Sequence, residues 1–133
     1  ASVFELPIKT SCADVVLSIF APCAEDEAIR VLKDDGLLVV VSAGKEHLMG
    51  LKRALYSVAY ENDERADVPK KMKLIHKHSC SYTVTIDKND DILNLFSMTP
   101  YYWRTSQDDA KKLETIDRLT TEIDILFSVY KKN

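Results

Sequence analysis

The sequence predicts an α/β fold built on a mixed β-sheet, with a parallel strand–helix–strand unit at its start and an antiparallel strand at its end. Two short, almost continuously apolar runs, 13–20 and 37–41, flank a stretch with helical periodicity. Continuous hydrophobicity is typical of strands that are covered on both faces. Two later runs alternate in the manner of strands: 76–86, which indicates a half-exposed or edge strand, and 123–129, which indicates the last strand.

The first three elements form the clearest unit. After the strand at 13–20, apolar residues of 24–32 share one helical face and acidic residues crowd the first turn, where the helix dipole favours them. Gly36 is expected to end that helix in the left-handed conformation. The strand at 37–41 follows at once, so the three elements should form a right-handed βαβ unit.

Further helices and strands complete the predicted sheet. The periodicity predicts a longer helix over about 45–59 and an edge strand over 76–86. Two short helices should follow, one ending before Pro100 and one beginning at Ser106 with a capping-box-like start. We place the last strand, 123–129, between the second strand, 37–41, and the half-polar strand, 76–86. We expect it to run antiparallel.

Composition bounds the class of protein. The 133 residues are 46% hydrophobic and 29% charged with a net charge of −3, which excludes a disordered tail and binding of nucleic acid through bulk charge alone. Only residues 44–78 are net basic, at +3. No run approaches the roughly 18 apolar residues of a membrane helix. Cys12, Cys23 and Cys80 have neither metal-ligand spacing nor an even count, so we expect a reducing cytoplasm.

Several short segments carry a resemblance to a known family. Three of them, 2–7 (SVFELP), 14–16 (DVV) and 28–36 (AIRVLKDDG), resemble in order and spacing the C-terminal half of a Rossmann-like class I methyltransferase. Three more are similar to bacterial 23S ribosomal RNA guanine-N1 methyltransferases, some of which confer macrolide resistance: 20–23 (FAPC), 44–52 (GKEHLMGLK) and 98–104 (MTPYYWR).

The sequence departs from that family at its front. The family begins with a cysteine/histidine zinc module, a Gly-rich cofactor loop and an acidic ribose-binding residue. With Gly36, Gly44 and Gly50 as its three glycines, the chain cannot form a G-x-G-x-x-G loop. We therefore expect residues 1–133 to be a single truncated methyltransferase domain whose first strands are missing. The isolated chain should then be inactive.

The resemblance implies S-adenosylmethionine as the cofactor, with zinc confined to the missing module. It places the adenine and methionine ends against Ala1, Ser2, Ile19, Phe20, Ala21 and His47. Because guanine N1 carries a proton that must leave, a base or a water relay is needed. Glu46 and His47 are the candidates, although a histidine at a helix start is also compatible with a packed surface role.

Candidate substrate residues lie in three places. Trp103 and Arg104 would stack on an extruded guanine and hold its phosphate, with Pro22 and Lys45 also against the substrate. The alternative is that the aromatic residues 101–103 simply close the core. Six basic residues would face RNA phosphates: Lys45, Lys52, Arg53, Lys70, Lys71 and Lys73. The alternative is that they are ordinary solvated side chains.

A metal site is not expected. His76 and His78 have i, i+2 spacing on a strand, which can chelate a metal, but no third ligand is near in sequence.

Three functions therefore stay open. The first is a cytoplasmic enzyme that methylates N1 of a guanine in large-subunit ribosomal RNA. The second is a small-molecule methyltransferase that uses the same half-sheet. The third is a non-catalytic domain that forms a homodimer through the apolar strand 14–20, since an uncovered apolar edge strand is an aggregation hazard that proteins normally cover.

Overall fold

The computed structural model describes residues 2–64 and 68–133 of the chain. In these ranges the strands and helices, in chain order, are β1 (Ala13–Ile19), α1 (Glu25–Val31), β2 (Leu32–Ala43), α2 (Met49–Leu55), β3 (Met72–Ile86), α3 (Asn89–Ser97), a 3-10 helix (Pro100–Trp103), α4 (Gln107–Lys111), a second 3-10 helix (Lys112–Thr115) and β4 (Leu119–Lys132). None of the helices in the described ranges has the length and apolar character needed to cross a membrane.

The four strands form one sheet in the order β1-β2-β4-β3. β1 pairs parallel with β2, with Ile19 opposite Val41. β2 pairs antiparallel with β4, with Val41 opposite Phe127. The mixed α/β fold class is confirmed, as are the parallel start, the antiparallel last strand and its place between β2 and the half-polar strand β3.

The predicted helix end at Gly36 is wrong. α1 ends at Val31, β2 begins at Leu32, and no described glycine has a positive φ. The β1–β2 register shifts at this point, because Ala13 lies opposite Leu32 whereas Val15 lies opposite Leu37. A Cβ on Gly36 would lie 2.8 Å from the end of the Leu32 side chain and 3.1 Å from the Ala13 carbonyl oxygen. Gly36 therefore permits close packing at an irregularity of β2.

The chain divides into two compact units, which are described separately. The first unit comprises residues up to Gly44 together with 63–80 and 125–133, and the second comprises 45–62 and 81–124. The core of the first unit contains Ala28, Leu32, Leu38, Met72 and Tyr130. The core of the second unit contains Leu48, Leu51, Leu55, Ile92, Phe96, Leu113 and Leu119.

Helix α2 is shorter than predicted. It runs from Met49 to Leu55 because Leu48 has a left-handed φ of 58° and Tyr56 is extended. The start of α4 follows the prediction, since Oγ of Ser106 accepts the N–H of Asp109 at 3.1 Å.

Candidate functional site

In the first unit, the carboxyl ends of the parallel strands β1 and β2 lie side by side. In open α/β sheets, ligands bind outside such ends. Phe20 directly follows β1 with a φ of 48°, and its N–H donates to the Val41 carbonyl at 2.9 Å. A left-handed phenylalanine is strained by about 1 kcal/mol or more. The structure thus places the predicted cofactor residues Ile19, Phe20 and Ala21 on a tight, strained turn that leaves the Phe20 ring 56% exposed.

The predicted adenine contacts lie at the N-terminal end of the described chain. Ala1 is outside the described residues. Oγ of Ser2 accepts the N–H of Phe4 at 3.2 Å, and the Ser2 carbonyl accepts the N–H of Glu5 at 3.1 Å. Ser2 therefore shapes a local turn and remains exposed.

The segment after this turn is fastened to α1 by one ion pair. Oε1 of Glu27 accepts the N–H of Leu6 at 2.7 Å, and the Arg30 guanidinium donates to the carbonyls of Ile8 at 2.9 Å and Leu6 at 3.2 Å. The hydrogen bond from Arg30, followed by the bond from the Leu6 amide, lowers the pKa of Glu27 to about 2. We refer to Glu27 and Arg30 as the clamp.

In the second unit, Asp124 organises the turn that contains the candidate bases. Its buried carboxylate accepts the backbone N–H of Glu46 at 3.1 Å and the hydroxyl of Ser81. Its own N–H donates to Nδ1 of His47 at 3.1 Å. Burial lowers the pKa of His47 below its ordinary value, and the charge of Lys52 acts in the same direction, outweighing the opposite effect of Asp124.

This geometry bears on the choice between the two candidate bases. Because Nδ1 of His47 accepts a hydrogen bond, the proton of the neutral ring lies on Nε2, which is then a donor. The ring can take up a second proton only by giving up its bond from Asp124. The Glu46 carboxylate is about half exposed and lies 3.9 Å from the Arg53 guanidinium. The Glu46 carboxylate is therefore open to solvent beside Arg53, whereas Nδ1 of His47 already accepts a hydrogen bond.

The start of α2 is capped by residues of β4, which the sequence did not indicate. Leu48 has no side-chain cap to offer, so Oε2 of Glu122 accepts the N–H of Gly50 at 2.7 Å and Thr121 Oγ1 accepts the next helix amide at 3.2 Å. A Cβ on Gly50 would overlap the carbonyl oxygen of Thr120. A glycine inside a helical pattern is the signal that could have revealed this close approach.

Lys52 is buried, with only 8% of its surface exposed. Its ammonium donates to the carbonyl of Tyr60 at 2.9 Å and to Oδ1 of Asn62 at 2.7 Å, and it lies 5.1 Å from the centroid of the Tyr101 ring. Burial lowers the pKa of this lysine. These internal bonds do not favour the predicted contact with an RNA phosphate.

The aromatic segment of the second unit projects into solvent. Trp103 is 84% exposed and meets Tyr102 edge-on at 5.1 Å between ring centroids. The alternative that residues 101–103 close the core is therefore wrong for Trp103, although Tyr101 packs against the core. Arg104 follows immediately and is also exposed.

Of the other residues predicted to contact the substrate, some are exposed and others form ion pairs within the chain. Lys45 and Pro22 are exposed, in different units. Arg53 pairs with Glu122 at 2.9 Å, and Lys71 pairs with a carboxylate of α1. Within the described part of the chain, no group of three His, Cys, Asp or Glu side chains could hold a metal ion.

Comparison with known sequences identifies two curated relatives, while no family model matches. A Bacillus subtilis (strain 168) protein named "Putative 23S rRNA (guanine-N(1)-)-methyltransferase YxjB" is 31% identical over 140 residues, 97% of this chain and 48% of that protein. A Micromonospora griseorubida protein named "Putative 23S rRNA (guanine-N(1)-)-methyltransferase" is 26% identical over 132 residues, 93% of this chain and 42% of that protein. The predicted relationship is confirmed, and the chain spans about half the length of these relatives.

Similar solved structures cover the whole chain. The YcgJ protein of Bacillus subtilis matches with a TM-score of 0.50 at 13% identity, over 100% of this chain and 70% of that one. A protein of Bacillus halodurans C-125 described as a putative methyltransferase matches with a TM-score of 0.49 at 14% identity, with the same coverage of both chains. The likeness to YcgJ supports the α/β fold and carries no information on the reaction.

Proposed function

We propose that this chain, a homologue of the 23S rRNA (guanine-N1)-methyltransferases, forms part of a cytoplasmic enzyme that transfers a methyl group from S-adenosylmethionine to N1 of a guanine in large-subunit ribosomal RNA. The observation that carries the proposal is the 31% identity to YxjB over 97% of this chain. Homology over nearly the whole described fold supports a shared reaction more strongly than any single motif.

The carboxyl end of β1 has the character that the proposed cofactor needs. S-adenosylmethionine has apolar and polar parts, and the turn at Ile19, Phe20 and Ala21 offers exposed apolar side chains beside backbone polar groups. These residues would hold the cofactor, with Ser2 contributing from the N-terminal turn of the same unit. The bound cofactor supplies an electrophilic methyl group. The clamp keeps the N-terminal segment on α1 and so positions this part of the site.

The substrate side of the proposal depends on the second unit. RNA enzymes expose the target base and stack it on aromatic side chains. Trp103 presents an exposed indole for this purpose, and Arg104 beside it would bind a phosphate. Lys45 of the same unit would also face the RNA, and Pro22 stays a separate candidate contact of the first unit. Glu46 would accept the N1 proton of the guanine, because its carboxylate is exposed while Nδ1 of His47 is occupied.

The test replaces the homologous segment of YxjB with this chain and supplies the chimera with S-adenosylmethionine and 23S ribosomal RNA. We expect methyl transfer, with 1-methylguanosine as the product after nuclease digestion, and unaltered YxjB serves as the positive control. Calorimetry must first show that the chimera binds the cofactor. A cofactor-binding chimera that modifies another nucleoside, or methylates small molecules while ignoring the RNA, would contradict the proposal.

A second candidate function is a homodimeric interaction domain, and the exposure of β1 favours it. Val15 and Leu17 on this edge strand are 51% and 62% exposed, whereas proteins normally cover apolar strand edges. Sedimentation should then show a dimer that Leu17→Lys converts to a monomer. Val58→Lys is the matched control, because Val58 is 59% exposed in the second unit. A monomeric unmodified chain would refute this candidate.

A further inference from the structure

The second unit contains a cavity of about 490 Å³ that none of the predicted functions uses. This volume lies within the roughly 300–1,000 Å³ of small-molecule sites. Its lining residues are Lys52, Tyr56, Ser57, Val58, Tyr60, Tyr101 and Asp109. The walls thus combine aromatic rings with one cation and one carboxylate.

The cation in this cavity is fixed and has donor capacity to spare. An ammonium group has three N–H donors, and the bonds to Tyr60 and Asn62 use two of them. Because Lys52 is 92% buried, these bonds hold Nζ in one position rather than leaving it to move in solvent. Within the described residues, one donor of Lys52 is left for a ligand that presents a hydrogen-bond acceptor.

The tyrosines differ in how firmly they are held. The hydroxyl of Tyr101 donates to Asn62 at 3.3 Å, and the hydroxyl of Tyr56 is hydrogen-bonded to Thr105. The Tyr60 ring is 76% exposed, although its backbone carbonyl is tied to Lys52. The rings of Tyr56 and Tyr101 are therefore held by hydrogen bonds, while Tyr60 lies exposed beside them. Stacking on such rings suits any nucleobase.

We propose that this cavity binds an unpaired guanine of the substrate RNA, with Lys52 donating to O6 or N7 of the base. This inference rests on the proposed function for the RNA as the source of the base. Lysine recognises guanine through these two acceptors, whereas adenine presents an amino donor at the position of O6. The carboxylate of Asp109 on the wall is paired with Lys112 and hydrogen-bonded to Ser106, so Lys52 is the group on the wall that is placed to recognise the base.

The experiment titrates this chain with 5′-GMP and, separately, with 5′-AMP, followed by NMR of the backbone amides. The two nucleotides share the ribose phosphate, so a difference in affinity reports the base. We expect 5′-GMP to shift amides of residues 52–60 and 101 and to bind at least tenfold more tightly than 5′-AMP. Equal affinity, or shifts confined to other residues, would overturn the assignment.

Two substitutions test the walls of the cavity. Tyr60→Ala should weaken 5′-GMP binding about tenfold by removing a stacking surface, while Tyr82→Ala, at a 53% exposed tyrosine of β3 in the same unit, should leave binding unchanged. Lys52→Met should abolish the preference for 5′-GMP. If Lys52→Met does not fold, the Tyr60 variant and the comparison of nucleotides still decide the matter.

A competition experiment identifies the source of the base. A single-stranded RNA hexamer with one guanine should displace 5′-GMP, and failure to displace it would refute RNA as the natural ligand. No methyl transfer is measured here, so the two proposals fail separately. A chimera that methylates RNA together with a chain that ignores 5′-GMP would refute only the cavity. An RNA-displaceable 5′-GMP site without RNA methylation would refute only the reaction.

Discussion

The backbone N–H of Asp124 donates to Nδ1 of His47 at 3.1 Å, while the carboxylate of the same aspartate accepts the N–H of Glu46, also at 3.1 Å. One residue of β4 therefore fixes both the imidazole ring and the backbone of the turn before α2. This arrangement sets the protonation state of His47, because a ring nitrogen that accepts a hydrogen bond cannot also hold a proton.

The first prediction concerns pH. The folded-state pKa of His47 lies below its ordinary value of 6.5. His47 is therefore harder to protonate in the folded chain than in the unfolded chain. The stability contributed by the neutral ring should be fully present above pH 6.5 and be lost as the pH falls from there through the folded-state pKa. Urea unfolding between pH 7.5 and 5 should show this loss, and NMR titration of the ring should give a pKa under 6.5.

Two variants make this prediction specific. His47→Asn keeps an acceptor near the position of Nδ1 but does not titrate, so it should lose less stability than the unmodified chain over the same pH range. Asp124→Asn should lower the pKa of His47 further, because Asp124 acts to raise it. A ring pKa at or above 6.5 in the unmodified chain would be incompatible with the bonding described.

The second prediction concerns the glycine at the start of α2. Gly50→Ala should destabilise the chain by about 3 kcal/mol, because the added methyl group would overlap a backbone oxygen of β4, which cannot move aside as a side chain can. Gly36→Ala is the matched comparison, since its Cβ would lie 2.8 Å from the end of the Leu32 side chain and 3.0 Å or more from backbone oxygens. Denaturant unfolding should therefore show a larger loss for Gly50→Ala, and equal losses would count against this packing.

Much of the fold could be predicted because it depends on local hydrophobic patterns. The continuous runs at 13–20 and 37–41 correctly indicated neighbouring parallel strands, and the alternation at 123–129 correctly indicated the last strand, which pairs antiparallel as predicted. The start of β2 at Leu32 was not predictable. Its residues 33–36 (KDDG) coincide with a register shift against β1, which no local pattern reports.

The candidate site was harder to predict because its contacts are long-range. The helix that follows the left-handed Leu48 is capped from strand β4 by Glu122, which lies 72 residues after Gly50. Lys52 was expected to face phosphates or solvent, but its ammonium is bonded to the later segment that contains Tyr60 and Asn62. The sequence pattern records the polarity of a residue but not which later segment covers it.

The third prediction concerns the clamp. Glu27→Gln should free the N-terminal segment, because the amide accepts less strongly from Leu6 and forms no ion pair with Arg30. Hydrogen exchange at the Leu6 amide should quicken, while Asp26→Asn, on the same helix but bonded to Lys71, should leave it unchanged.

The stabilising effect of the clamp should also depend on pH. Because the pKa of Glu27 is lowered from 4.5 to about 2, its stabilising effect should be fully present above pH 4.5 and be lost as the pH falls through 2. In the unmodified chain, protection of the Leu6 amide should follow this course. Protection that is already absent at pH 7 would show that the clamp does not hold the segment.

The fourth prediction separates stability from RNA binding at Trp103. Because this indole is 84% exposed, Trp103→Ala should change the free energy of unfolding by no more than about 0.5 kcal/mol. Loss of a stacking surface should nevertheless weaken the binding of single-stranded RNA about tenfold, measured by fluorescence anisotropy. Met98→Ala is the matched control, since Met98 is 82% exposed and apolar but offers no ring. Equal effects of the two substitutions on RNA affinity would mean that exposed apolar area, and not the aromatic face, contacts the RNA.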